Sequence, residues 1–183
     1  MQKNTQELEH FLAGVERRAL QMTRIATSSN EEALDIVQEA MMTLVKRYAQ
    51  RDGREWPPLF HRILQNRIRD WYRRQAVQRK LFGWFPLVNN DDGEAQEEME
   101  SVAAASTCEP AHQLSNQRMT DELEKALQAL PLRQQQTFLL RVWEGLNVAE
   151  TAKAMGISSG SVKTHFSRAV HSLRESLGDY RYE

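Results

Sequence analysis

Apolar residues recur at intervals of three and four along most of this chain, with charged and polar residues between them. Leu8, Phe11, Leu12, Val15, Ala19, Met22 and Ile25 trace one side of a first helix. After the TSSN break at residues 27–30 a second helix is expected to about Tyr48. Ser29 or Asn30 can cap it, and Glu31 and Glu32 suit the positive end of its dipole. Leu34, Val37, Met41, Leu44 and Tyr48 form its expected buried stripe. Pro57, well placed at a first helical position, opens a third helix through about Leu81, with Phe60, Ile63, Leu64, Ile68 and Trp71 along one side.

The same periodicity returns late in the chain. Met119, Leu123, Ala126, Leu127 and Leu130 mark a helix stopped by Pro131, and Phe138, Leu139, Val142 and Trp143 mark the next. Val148 to Met155 and a last helix, with Val162, Phe166, Ala169 and Leu173 inward, then meet at a tight turn. In that turn Gly156 can take positive φ, Ile157 plugs the corner and Ser158 caps the helix that follows. Alternating β-branched runs are missing and Gly and Pro are few, so the expected fold class is all-α, and a parallel-sheet enzyme is disfavoured.

Charge changes this picture more than composition does. Residues 1–82 hold 15 Lys and Arg against 10 Asp and Glu; residues 83–116 hold seven acids and no base; residues 117–183 hold nine bases against eight acids. The net charge of −1 is therefore a cancellation. The expected organisation is two small helical domains, an N-terminal helical bundle over residues 1–82 and a C-terminal helix-turn-helix domain over residues 117–183. A flexible acidic linker over residues 83–116 joins them. That linker is either an inert tether or an acidic strand that fills a basic channel on a partner or shields the basic domains. No apolar run approaches the roughly 18 residues that span a bilayer, and no basic stretch with an apolar core opens the chain, so a cytoplasmic protein without membrane insertion is expected. The single cysteine, Cys108, excludes an internal disulfide, and with His112 it offers too few ligands for zinc; no cofactor or metal is expected.

Three surface arrays carry candidate chemistry. On the second helix Glu31, Asp35, Gln38, Glu39, Met42 and Lys46 share the face opposite the apolar stripe, either a solvated face or, given a Met among acids, a docking surface for a partner helix. On the third helix Arg62, Asn66, Arg69 and Arg73 align, extended by Arg74, Arg79 and Lys80. With Trp56, Trp71 and Tyr72 nearby, this face suits phosphate contact and base stacking on a single strand, unless the aromatics belong to the core, the reading preferred for Trp71. Arg67 falls on the apolar side, where its stem snorkels or its head meets a carboxylate. On the last helix Ser161, Lys163, Thr164, Ser167 and Arg168 remain outside, short and basic as major-groove reading requires; a generic two-helix corner is the alternative. His165 and His171 flank that face as surface histidines.

Taken together, "DIVQEAMMTLVKRY" with "WPPLFHRILQNRIRDWYRR", then an acidic linker, then "LQALPLRQQQTFLLRVWEGLNVAETAKAMGISSGSVKTHFSRAVHSL" resembles the bacterial RNA polymerase sigma factors of the sigma-70 family, extracytoplasmic-function (ECF) group. The resemblance implies a non-catalytic initiation factor that binds core RNA polymerase and meets promoter DNA both as duplex and as single strand. It implies that Asp35, Gln38 and Glu39, with Met42 on the same face, meet the polymerase clamp helices. Arg62 and Asn66, with the loop from Arg51 to Glu55, would capture an unstacked base of the −10 element, Arg69 and Arg73 extending that face. Lys163, Thr164, Ser167 and Arg168, beside Ser161, would read the −35 element, the linker would thread the RNA exit path, and an anti-sigma factor is an expected partner. Two features depart from the pattern: Pro57 and Pro58 after Trp56, and Arg67 where an apolar residue is usual. A stand-alone regulator that binds duplex operators and an enzyme acting on nucleic acid are the competing readings. The second lacks a P-loop, a metal-grade cluster and an activated nucleophile in the sequence.

Overall fold

Among the residues described by the computed structural model, 2–82 and 111–178, every regular element is helical. In chain order these are α1 (Gln2–Thr27), α2 (Asn30–Tyr48), a 3-10 turn (Gly53–Glu55), α3 (Trp56–Phe82), α4 (Ala111–Gln128), α5 (Leu132–Phe138), a π-helical turn (Leu139–Trp143), α6 (Val148–Met155) and α7 (Ser159–Leu177).

The first lobe is built from α1, α2 and α3. Ser29 is the cap of α2, its hydroxyl accepting from the backbone N–H of Glu32, while Ser28 turns the chain at φ 54°. Leu8, Val15, Ala19, Met22 and Ile25 of α1 meet Ile36, Val37, Ala40 and Leu44 of α2 and Phe60, Leu64 and Ile68 of α3 in a buried core. The expected stripe on α2 is corrected at Leu34, which is 47% exposed. This helix packs against both α1 and α3, so its contact face is wide and centred on the small Ala33 and Ala40, with Leu34 turned off its edge. Of the aromatics weighed for base stacking, Trp71 lies in the core, the reading preferred for it, while Trp56 and Tyr72 are corrected. Trp56 and Trp71 are buried, Trp56 Nε1 donating to the Tyr48 carbonyl at 3.0 Å, and the half-buried Tyr72 hydroxyl donates to the Ala26 carbonyl at 2.7 Å. The two tryptophans serve the core, and Tyr72 packs against it.

The second lobe, α4 to α7, buries Leu127, Leu130, Leu139, Leu140, Ala154, Met155, Val162, Ala169 and Leu173. Val142 and Trp143, expected inside, are 57% and 42% exposed. The cause is the π-helical turn: Glu144 N–H bonds the Leu139 carbonyl, five residues back, at 3.1 Å, and the extra residue rotates these side chains outward. Met119 and Leu123 are exposed as well, because α4 commits to the core only near its end, through Leu127. That helix starts at Ala111, inside the expected linker span; the remainder of that span, with Cys108, lies outside the described residues.

The two lobes, expected as tethered bodies, are seated on one another. Helix α3 packs on α6 and α1 on α4, and the buried apolar residues of both lobes form one contiguous cluster. At the seat the Glu144 side chain is 4% exposed, 3.3 Å from Arg18 Nε and 3.4 Å from Nε2 of the equally buried His61. A second pair, Arg24 with Glu124 at 2.8 Å, joins α1 to α4.

Candidate nucleic-acid interface

Helix α3 presents the cationic face that its spacing predicts, with one change. Arg62, Asn66 and Arg73 are exposed, whereas Arg69 is half-buried at the seat between the lobes. Burial, together with Arg133, Arg73 and Arg62, holds the Arg69 guanidinium below its ordinary range against the opposite pull of Asp70. It donates to Asn66 Oδ1, and its Nε reaches the Gln65 carbonyl at 3.4 Å. A pocket of about 390 Å³ opens between the end of α2 and the start of α3, lined among others by Tyr48, Arg62, Asn66, Arg67 and Asp70. That volume is within the roughly 300–1,000 Å³ usual for small-molecule sites. The loop before α3 is held by Asp52, which accepts from the Arg54 N–H at 2.8 Å, and by an Arg51–Glu55 pair at 3.5 Å. A Cβ at Gly53 would lie 3.4 Å from the Trp56 ring, so the loop lies close over that side chain.

Helix α2 keeps Asp35, Gln38, Glu39 and Met42 exposed. Sequence reading found the polar part of this row and Met42, and missed two further apolar members: Leu34 and Val45, 47% and 43% exposed, join Met42 at 52%. Their spacing to Gln38, of four and seven, was the available signal. Glu39 leans toward α3, where Arg67 Nη1 lies 3.0 Å from its Oε2, so Arg67 meets a carboxylate as its position suggested.

Around α7 the turn is built as expected. Asn147 and Glu150 form a capping box on α6, Gly156 sits at φ 68° and ψ 37°, and the Ser158 hydroxyl accepts from the Ser161 N–H at 3.0 Å. Lys163, Thr164, Ser167 and Arg168 are exposed; Ser161 is half-buried, its hydroxyl 2.9 Å from that of Ser158. His165 is corrected from surface to core. It lies three residues after Val162 and four before Ala169, on the inward side, and is 8% exposed. Phe166 is half-buried, stacked on Phe138 at 6.2 Å with Arg141 over its ring at 5.6 Å. His171 is exposed and pairs with Glu175 at 3.4 Å.

Sequence reading gave no role to Glu144. Burial works to raise its carboxyl; the hydrogen bond and Coulombic attraction of His61, joined by Arg18, outweigh this and hold it below the ordinary carboxylate range. Among the described residues no three His, Cys, Asp or Glu side chains gather as a metal ion would need, and no helix is long and apolar enough to cross a membrane.

Comparison with known proteins gives two family matches, Sigma-70 region 2 over residues 8–77 and Sigma-70, region 4 over residues 120–173, one to each lobe. The chain is 26% identical to the RNA polymerase sigma-E factor of Streptomyces avermitilis, covering 93% of this chain and 85% of the relative. It is 26% identical to the ECF RNA polymerase sigma factor SigF of Caulobacter vibrioides, covering 91% and 82%. Among solved structures, the sigma factor RpoE in complex with the anti-sigma factor NepR from Bartonella quintana shares the fold at a TM-score of 0.68 and 23% identity, with 97% of this chain and 98% of that one covered.

Proposed function

Since the chain belongs to the sigma-70 family of RNA polymerase sigma factors, in its ECF group, we propose that it binds core RNA polymerase through α2 and carries it to two promoter elements. It is a transcription initiation factor and not an enzyme. In this reading Asp35, Gln38, Glu39 and Met42, with Leu34 and Val45, form the polymerase face; apolar side chains among carboxylates suit a partner that brings both an aliphatic surface and cations. Arg62 and Asn66, at the pocket, with Arg69 and Arg73, hold the separated −10 strand in the cytoplasm of the cell. Lys163, Thr164, Ser167 and Arg168 enter the major groove of the −35 duplex, Ser161 ordering the helix start. An anti-sigma factor is a further proposed partner, as in the RpoE–NepR complex.

The observation that carries this reading over a stand-alone regulator is the exposed row on α2, which a protein binding only duplex operators has no use for. Run-off transcription with core polymerase on fragmented genomic DNA, with the starts sequenced, tests it. Discrete starts are expected with the native chain, and loss of them with D35A combined with Q38A while duplex binding persists. Transcription indifferent to that pair of changes would favour the regulator, and no starts at all would reject the proposal.

A further inference from the structure

Arg67 stands where two of these surfaces meet. It lines the pocket beside Arg62 and Asn66, yet its guanidinium is tied back to α2, with Nη1 3.0 Å from Glu39 Oε2 and Nη2 donating to Thr43 Oγ1 at 3.4 Å. Glu39 belongs in turn to the row that carries Asp35, Gln38 and Met42. Both members of the pair are about half open to water, at 40% and 51% exposure, so the bond is screened and either partner is readily displaced by a better one. A phosphate is such a partner for a guanidinium, accepting two parallel N–H bonds. A cation or N–H donor on a docking protein is such a partner for Glu39.

We propose that Arg67 is a phosphate ligand for the single strand, held in reserve by Glu39 and released when the α2 row is occupied. The idea rests on the roles proposed above for α2 and for the pocket. In the free chain Glu39 neutralises Arg67 and weakens the field at the pocket mouth. Once a partner claims Glu39, the guanidinium is free to turn toward Arg62 and Asn66. Linkage makes the effect reciprocal: a strand that takes Arg67 leaves Glu39 open to the partner, so each ligand favours the other. Arg67 is thereby the strand ligand, and Glu39 the residue through which polymerase docking reaches it.

The test uses the full chain, a fluorescein-labelled oligothymidine single strand, since phosphate contact does not depend on sequence, and anisotropy titrations across salt, with and without core polymerase. In the free chain E39Q should tighten strand binding by roughly two- to fivefold, the scale of one exposed ion pair. It should also steepen the slope of log Kd against log salt by about 0.7, one more phosphate neutralised on a single strand. Adding R67Q to E39Q should cancel both effects. With polymerase bound, the native chain should already show the steeper slope, R67Q should lose it, and R67K, which keeps the charge, should retain it. A salt slope unmoved by R67Q with polymerase bound overturns the proposal, as does an E39Q chain whose strand affinity and slope match the native one. If R67Q and R67K both weaken binding without changing the slope, Arg67 is structural and the proposal fails. Should the native chain bind no polymerase, the docking role fails instead, and the free-chain comparison of E39Q with the double variant still decides whether Glu39 restrains Arg67.

Discussion

Replacing Glu144 by Ala should cost the protein a sizeable part of its stability, and the size follows from which groups are left without a partner. His61 Nε2 loses its acceptor at a site 4% exposed, and among the described residues its Nδ1 has no partner to fall back on. A buried donor stranded in this way costs about 1–3 kcal/mol. Arg18, half in water, gives up an ion pair of about 0.2–1 kcal/mol. The expected loss is about 1–4 kcal/mol at neutral pH, against a typical total of about 5–15. E144Q keeps an acceptor for His61 and should lose only about 1 kcal/mol. Urea unfolding followed by circular dichroism measures both. The pH dependence identifies the charge as the cause. The Glu144 carboxyl is depressed in the folded chain, so its stabilisation is complete above the ordinary carboxylate value of 4.5 and disappears as pH falls through the lower folded value. The difference between native and E144Q should thus be level at neutral pH and shrink in acid. A loss under about 0.5 kcal/mol for E144A, or a native-to-E144Q gap that persists undiminished into strong acid, would refute the reasoning.

Other consequences are as direct. G156A forces a Cβ into a left-handed residue with open space around it, so strain alone should cost about 1–2 kcal/mol, seen as a lower midpoint in thermal unfolding. S158A removes the acceptor for the Ser161 N–H and should cost about 1 kcal/mol in the same assay. K163A, at an exposed position, should leave the melting midpoint nearly unchanged; for K163A and R168A, each phosphate that is no longer neutralised should lower the salt slope for a −35 duplex by about 0.9 in gel-shift titrations with the polymerase complex.

What the sequence made legible was whatever lies close together along it. The corner from Asn147 to Ser161 is written in a capping pair, a glycine and a serine within a few residues, and these alone nearly determine the backbone, so helix, turn and cap came out as expected. The α2 row was half legible: period 3.6 placed Asp35 and Gln38 outward, but whether Leu34 or Ile36 turns inward depends on how broadly α2 is gripped by its two neighbours, which its own pattern does not encode. Val142 and Trp143 misled because a π-helical turn breaks the period that the reading assumes. The aromatics around the basic helix were ambiguous for a different reason, since a tryptophan serves core and stacking equally well by composition. The Glu144 cluster could not be read at all. Its members come from α1, α3 and the second lobe, and any acid in the chain could have met any base.

The seating of one lobe on the other has a consequence for every titration made with this chain. A partner that grips it only when the lobes are spread meets, at any instant, the minority already parted, and its apparent dissociation constant is raised by the inverse of that fraction. Trimming the Glu144 cluster would enlarge that minority. Such a chain would melt sooner and yet hold such a partner harder, so that in this molecule fragility and grip would rise together.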